Sequence, residues 1–475
     1  MSGIASSVPT GRPGDTADTA AASLAPLPSD LPPVERRPVP PRGFVAGATA
    51  AGIKASGRPD LAVILVTTEI AAAAATFTPN AFAAAPVRLS QAHLDAGVGP
   101  GGDGRHGWAR AIVATSGCAN AATGPAGDAD QGEVAEALAA TVRVPVDSTL
   151  LLSTGVIGTR LPVDAIRRGL ADLWAAGLEA SEAGLENAAA ALRTTDSTTK
   201  SATVGLALPG PDGTTVPVRV TGIAKGVGMI HPRMATMLAV ILTDATVDPT
   251  VLRGLLRPVV ARTWDQLSVD GDTSTNDTVF VLASGAAGAV GVADSSAEAQ
   301  ALGRAIEAVA RDLARQQAAD GEGATTLLTC QVSGAADDAD ARAVARAVVS
   351  SSLVKAAAHG RDPNWGRIVG AAGNARLADA AVLEAGGLST ADAAQRAGGP
   401  AAIDPDRLRA AIAGHLVFDG SSGGPVAFDR PAARAAMDAP EVIVRLDLGL
   451  GGGTGEAFGC DLTEAYVIEN AEYTT

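Results

Sequence analysis

Three glycines, Gly222, Gly226 and Gly228, crowd the stretch TGIAKGVGMIHPRMATML (Thr221–Leu238), which also holds Pro232 and the hydroxyl of Thr236. A threonine inside MATML is ordinarily a strand residue, because branched side chains suit a pleated surface. The glycines and the proline before it fit a loop under conformational constraint better than a strand interior. Thr236 thus carries a hydroxyl at the end of such a stretch, although on the residues alone an ordinary strand position remains the commoner reading.

Other chemistry-bearing patterns fail on inspection. GLGGGTG (Gly449–Gly455) lacks the Lys-Ser/Thr of a phosphate loop and follows a late strand, so it reads as a glycine-rich hairpin. SVDGDTSTNDT (Ser268–Thr278) spaces Asp270, Asp272 and Ser274 like calcium ligands, but lacks the glycine and terminal acid that such a loop needs. There is no GxSxG elbow and no HExxH. Five histidines and the separated Cys118, Cys330 and Cys460 form no zinc pattern, so no metal site is expected. Three widely spaced cysteines also argue against a disulfide framework and for a reducing compartment.

The elements that must position Thr236 alternate between strand and helix. Strands are expected at DLAVILVTT (from Asp60), RAIVATSG (from Arg110), TVPVRVTGIAKG and the branched run after Met234. Helices are expected at DQGEVAEALAATVRV, VDAIRRGLADLWAAGL, DPTVLRGLLRPVVARTW, SSAEAQALGRAIEAVARDLARQQAAD and DARAVARAVVSSSLVKAAA. The tail reads as strands, EVIVRLDL and EAYVIENAEY, around the glycine-rich segment. Interleaving of this kind predicts α/β layers. The run from Ala62 to Val87 carries Glu69, Pro79 and several threonines. It reads as a buried strand followed by an alanine-rich stretch rather than a membrane span.

At 475 residues the chain exceeds one ordinary core, and two or three lobes are expected. Nine of its 28 prolines lie in the first 41 residues, so residues 1–42 are expected to be a disordered leader. Residues 375–414, rich in Ala and Gly, read as a surface insertion. Aromatics make up only 3% of residues, so Ala, Val, Leu and Ile must build the core. A net charge of −15 makes nucleic acid and anionic membrane poor partners. The start of the chain has no basic region followed by an apolar core, and a cytoplasmic location is expected.

Nine blocks, in order, resemble the ornithine acetyltransferase (bifunctional glutamate N-acetyltransferase) family. They are GFVAGATAAGIK, SGCANAATG, LLSTGVIG, TTDSTTK, the Thr221–Leu238 stretch, SVDGDTSTNDT, DGEGAT, SLVKAAAHGRDPNWGR and FGCDLTEAYVIENAEYTT. The family's usual processing motif is close to KGSGMIxPNMATML; here Val227 and Arg233 replace the serine and the asparagine. Cys118 also departs from the family's usual asparagine, and His359 from an aromatic.

The resemblance implies a layered helix–sheet sandwich, cut without a protease between Ala235 and Thr236 into an α chain (43–235 after the leader) and a β chain (236–475). Thr236 would then be both nucleophile and new N-terminal amine, and that amine could serve as general base with no histidine. Its reference pKa of about 7.7–8.0 leaves a useful neutral fraction near pH 7. Thr154 and Gly155 would stabilise the oxyanion. Thr195, Lys225, Thr236, Glu322, Asn470 and Thr475 would bind substrate, with Thr194 and Thr199 standing close to Thr195. The implied reaction is ping-pong transfer of acetyl from N2-acetyl-L-ornithine to L-glutamate. No cofactor is implied; acetyl-CoA is an alternative donor, and two αβ heterodimers would assemble. A related amidase or aminopeptidase, and a specialised or non-catalytic paralogue, remain as other readings.

Overall fold

A computed structural model describes residues 24–27, 29–98, 102–231 and 237–471. A four-stranded sheet is ordered β1 (Phe44–Thr49), β2 (Leu61–Val66), β5 (Ala111–Cys118), β6 (Thr149–Val156). A six-stranded sheet is ordered β4 (His106–Ala109), β3 (Ala71–Phe77), β11 (Thr278–Ala283), β9 (Leu238–Thr243), β8 (Thr215–Lys225), β7 (Lys200–Pro209). The seven-stranded third sheet runs β10 (Leu267–Ser268), β17 (Gly453–Cys460), β12 (Leu327–Ala335), β16 (Glu441–Asp447), β13 (Arg409–Ile412), β14 (His415–Asp419), β15 (Gly424–Pro425).

The first two sheets face each other. Ile64, Ile112 and Leu152 of one meet Ala73, Val240 and Phe280 of the other, together with α4 (Glu182–Leu192). The outer face of the four-stranded sheet packs on α2 (Gly124–Val142) and α3 (Val163–Ala176), while α1 (Ala85–Val98) lies against β6 and β4. The outer face of the six-stranded sheet packs on α5 (Pro249–Arg262) and α6 (Ala297–Ala319). Helix α6 also reaches the third sheet, where Arg311 and Arg315 lie over the ring of Phe458. Helix α6 thus joins the six-stranded sheet to the third, while the four-stranded sheet meets the six-stranded one face to face.

On the other face of the third sheet, α7 (Asp338–Ser350), α8 (Ser352–His359) and α9 (Trp365–Gly373) cover Leu328, Cys330 and Val332. The single helix expected over DARAVARAVVSSSLVKAAA is thus two helices. Ser351 has extended backbone and accepts the Val354 N–H, restarting the chain as an N-cap.

Five other expectations are corrected. The alanine-rich AAAAATF is itself a buried strand, β3. Alanine is a weak strand former, yet its small side chains let the strand lie buried between the facing sheet and α5. EAYVIENA is not a strand but helix α13 (Glu464–Ala471), with the Thr463 hydroxyl accepting the Tyr466 N–H at its start. GLGGGTG is no hairpin: β16 and β17 both pair with β12, and the loop between them crosses the end of that strand through Leu450 and Gly451 bonds to Gly334.

Nor is the leader disordered up to residue 42. Glu35 bridges Thr203 of β7, the Thr203 hydroxyl donates to the Arg37 carbonyl at 2.6 Å, and Arg36 pairs with Asp312. The prolines there set an extended strap along the sheet.

Residues 375–414 carry α10 (Ala380–Ala385) and α11 (Thr390–Arg396), whose Leu383, Val382 and Ala393 pack on Ala261, Ala339 and Ala343. Their last part is β13, an interior strand between β16 and β14, so a purely surface reading does not hold. Helix α12 (Arg430–Ala436) completes the fold. Among the described residues, no helix is long and apolar enough to cross a membrane, and no cluster of His, Cys, Asp and Glu is fit for a metal.

Candidate active site

The parallel strands β5 and β6 pair Gly117 with Gly155 one residue before both end. Gly155 has φ +129°, and a Cβ there would lie 2.3 Å from the Gly117 carbonyl carbon, so only glycine permits this approach. The side chain before it, Thr154, is buried. Asn276 ties this corner down, donating from Nδ2 to the carbonyls of Ala119 and Ser153, both at 2.8 Å.

Lys225, the last residue of β8, enters from the six-stranded sheet. Its Nζ donates to the Thr194 hydroxyl at 2.8 Å and lies 3.4 Å from the Thr154 hydroxyl. Burial pushes its pKa below the ordinary lysine value, against the opposing pull of Asp196, whose carboxylate is 3.8 Å away. Asp196 is wholly buried, accepting from Lys200 Nζ at 2.9 Å and from the Gly226 N–H at 2.7 Å. Burial opposes its ionisation, but Lys225, Lys200 and these hydrogen bonds prevail and hold its pKa well below the usual carboxylate range. Lys200 continues the network to Asp320 at 2.6 Å.

Glu322 supplies the opposite charge, on the turn after α6. Its carboxylate accepts from the Thr195 hydroxyl at 2.7 Å and from Asn470 Nδ2 at 2.9 Å. Asn470 arrives on α13, which lies so close to Gly323 (φ +67°) that a Cβ there would meet the Tyr466 nitrogen at 2.3 Å. Thr154, Gly155, Thr194, Thr195, Lys225, Glu322 and Asn470 all line one cavity of about 280 Å³, with Ala119, Val156, Ile157 and Met229 as apolar wall.

The structure thus brings together six of the residues singled out in the sequence. Three others, Ala235, Thr236 and Thr475, lie outside the described residues, as does Arg233. Met237, which follows Thr236, is buried at the head of β9. Of the three threonines in question, Thr194 meets Lys225 and Thr195 meets Glu322; Thr199 does not line the cavity. Val227 is buried, and its carbonyl accepts the Glu322 N–H at 2.8 Å, a bond indifferent to the side chain. Cys118 packs beside Thr159, and His359 Nδ1 meets Asp461 at 3.1 Å, so neither departure enters the cavity.

Asp196, Lys200 and Asn276 were missed as site residues. The charges at 196 and 200 in the otherwise uncharged TTDSTTK were the available signal, and Asn276 lies in the stretch dismissed as a calcium loop.

A sequence model described as the ArgJ family matches residues 45–475. The chain belongs to the ArgJ family. Among its relatives, the arginine biosynthesis bifunctional protein ArgJ of a Synechococcus strain is 44% identical over 92% of this chain and 96% of its own. The ArgJ of Thermus thermophilus is 43% identical over 92% and 99%. Among solved structures, the Bacillus halodurans ArgJ is 36% identical over 48% of this chain and 95% of that one, with a TM-score of 0.41. The Mycobacterium tuberculosis ornithine acetyltransferase, complexed with ornithine, is 37% identical over 42% and 97%, with a TM-score of 0.35.

Proposed function

We propose that this ArgJ-family enzyme cleaves itself before Thr236 and then moves acetyl from N2-acetyl-L-ornithine to L-glutamate through an acetyl-Thr236 intermediate, releasing L-ornithine and N-acetyl-L-glutamate. The observation that carries this reading is the convergence, on one cavity, of a buried cation (Lys225), a carboxylate (Glu322) and a buried hydroxyl beside a glycine corner (Thr154–Gly155). An amino acid with a second amine presents one carboxylate and one ammonium, and Lys225 and Glu322 match them.

In the cleavage, the Thr236 hydroxyl attacks the Ala235 carbonyl carbon. The acyl group moves from nitrogen to oxygen, the nitrogen gains a proton to become an amine, and water hydrolyses the ester. The freed amine then accepts the hydroxyl proton as Thr236 attacks the acetyl carbonyl of the donor. Thr154 and the Gly155 N–H take up the developing negative charge, a contribution on the order of 10²–10³ in rate per donor. Ornithine leaves with a proton on its amine, and the glutamate amine attacks the ester to regenerate Thr236.

Each step uses only substrates, water and the chain's own groups, so the reading includes no metal or organic cofactor. An acetyl thioester would load Thr236 by the same attack, which places acetyl-CoA among the donors to be tried. Thr195, Asn470 and Thr475 complete substrate binding. The protein is read as cytoplasmic, with residues 1–235 and 236–475 staying together and pairing as two αβ heterodimers.

Intact mass spectrometry tests this reading. Purified protein is expected as two chains, the second beginning TMLAVILTD, and Thr236→Ala as one. N2-Acetylornithine should add one acetyl group to the second chain alone. An uncut, fully active polypeptide would sink the reading; acetate release equal with and without glutamate would mark a hydrolase instead.

A further inference from the structure

We infer that the segment Ser268–Thr278 is a clamp that positions the self-processing stretch, gripping it upstream of the cut through Asp270 and downstream through Asp277. This rests on the cleavage proposed above and names the residues that prepare it.

The upstream grip is dense. Asp270 accepts the backbone N–H of Ile230 at 2.8 Å on Oδ1 and that of Met229 on Oδ2. In return the Ile230 carbonyl accepts the N–H of Val269 at 2.8 Å and of Asp270 at 3.3 Å. His231 Nδ1 lies 3.3 Å from the Ser268 hydroxyl. Met229 sits at φ +53°, a left-handed conformation that a methionine rarely adopts and that the two carboxylate bonds help to hold.

The downstream grip is buried. Asp277 is fully inaccessible; its Oδ1 accepts the Met237 N–H at 3.1 Å, and the Met237 carbonyl accepts the Thr278 N–H at 3.1 Å. Oδ2 has no hydrogen-bond partner among the described residues. Burial pushes the Asp277 carboxyl well above the ordinary carboxylate range. A carboxyl of which one oxygen accepts this bond matches an asparagine in shape, and the amide oxygen of an asparagine can accept the same Met237 N–H.

The two acids, with six residues between them on one segment, thus hold backbone on both sides of Ala235–Thr236. Fixing the ends of a short reacting stretch limits the conformations through which hydroxyl and carbonyl must find each other, and misplacement by about 1 Å costs on the order of 10²-fold. Opposite roles follow for the two amide isosteres. Asn at 270 has one acceptor oxygen where two N–H groups converge, whereas Asn at 277 keeps the one acceptor that is used.

The test is timed cell-free translation of the full chain, with the cut followed by intact mass. Asp277→Ala and Asp270→Asn should slow cleavage by roughly 10–10²-fold, while Asp277→Asn should stay within about threefold of wild type, a rescue that general loss of structure would not give. Each substitution is also placed in the Thr236→Ala background, where the thermal midpoint reports folding without cleavage. Normal cleavage in Asp277→Ala and Asp270→Asn, whatever their midpoints, overturns the clamp. So does Asp277→Asn behaving like Asp277→Ala. A wild-type chain that is never cut overturns the cleavage reading itself.

Discussion

Lys225 meets almost no water, and its ammonium depends on Asp196 for a counter-charge and on Thr194 for a hydrogen bond. Because burial lowers its pKa, the charge proposed to hold a substrate carboxylate is lost below the ordinary lysine value of about 10.4. KM for N2-acetylornithine should therefore rise on the alkaline side before a free lysine would titrate, and Lys225→Met should raise it about 10- to 100-fold at neutral pH. Asp196→Asn removes the opposing pull, so the alkaline rise should move to lower pH, a shift that mere loosening of the fold would not produce. Asp196's folded-state pKa lies below its unfolded one, so its stabilisation is present above about pH 4 and fades as acid approaches the folded value. Asp196→Asn should cost about 3–5 kcal/mol in urea unfolding at neutral pH, because it leaves buried lysine charge uncompensated. An unchanged pH profile in that variant would remove Asp196 from any role through Lys225. At this scale the sequence was most legible where resemblance named the residue, as for Glu322 and Lys225. It was least legible where a residue acts through another: nothing in TTDSTTK alone says that Asp196 is buried between two lysines contributed by different strands.

Elements carry the site as rigid pieces, and α13 makes this testable. Its residues touch the cavity only through Asn470, and its position is set by the contact of Tyr466 backbone with Gly323. Gly323→Ala would force both a left-handed alanine, roughly 1–2 kcal/mol, and a clash at 2.3 Å with that backbone. The helix must shift and Asn470 must release Glu322. KM should rise about tenfold, as for loss of a charge-assisted hydrogen bond. A variant cleaved normally and saturating at wild-type substrate levels would show that α13 has no such role. The alternation in EVIVRLDL made β16 readable, with Val442, Val444 and Leu446 facing inward. EAYVIENA misled because Tyr, Val and Ile favour strands, while the Thr463 cap starts a helix. The alanines of β3 misled in the opposite direction: burial between two layers, which no local window reveals, decided their conformation.

At the scale of the whole molecule, the six-stranded sheet interleaves the two prospective chains. From β4 to β7 its order is β4-β3-β11-β9-β8-β7, in which β9 and β11 come from after residue 236 and the four outer strands from before it. Two interior ladders cross between the chains, β3 with β11 from Phe77↔Thr278 to Ala72↔Ala283, and β8 with β9 from Val220↔Thr243 to Lys225↔Leu238. Both inserted strands are buried throughout, so withdrawing them would expose Val240, Ile241, Phe280 and Val281 and open the cores on both faces of the sheet. No intermediate with parted but folded chains is available, and separation must coincide with unfolding. In a urea titration of the cleaved enzyme, loss of chain association, read by light scattering, should share its midpoint with loss of the far-ultraviolet circular dichroism signal. Because each αβ unit then gives two separate chains, that midpoint should rise with protein concentration, each tenfold step adding at least about 1.4 kcal/mol. In uncut Thr236→Ala this contribution is missing, since its strands remain on one chain. Chains that part at low urea with their circular dichroism intact would contradict the interleaved sheet.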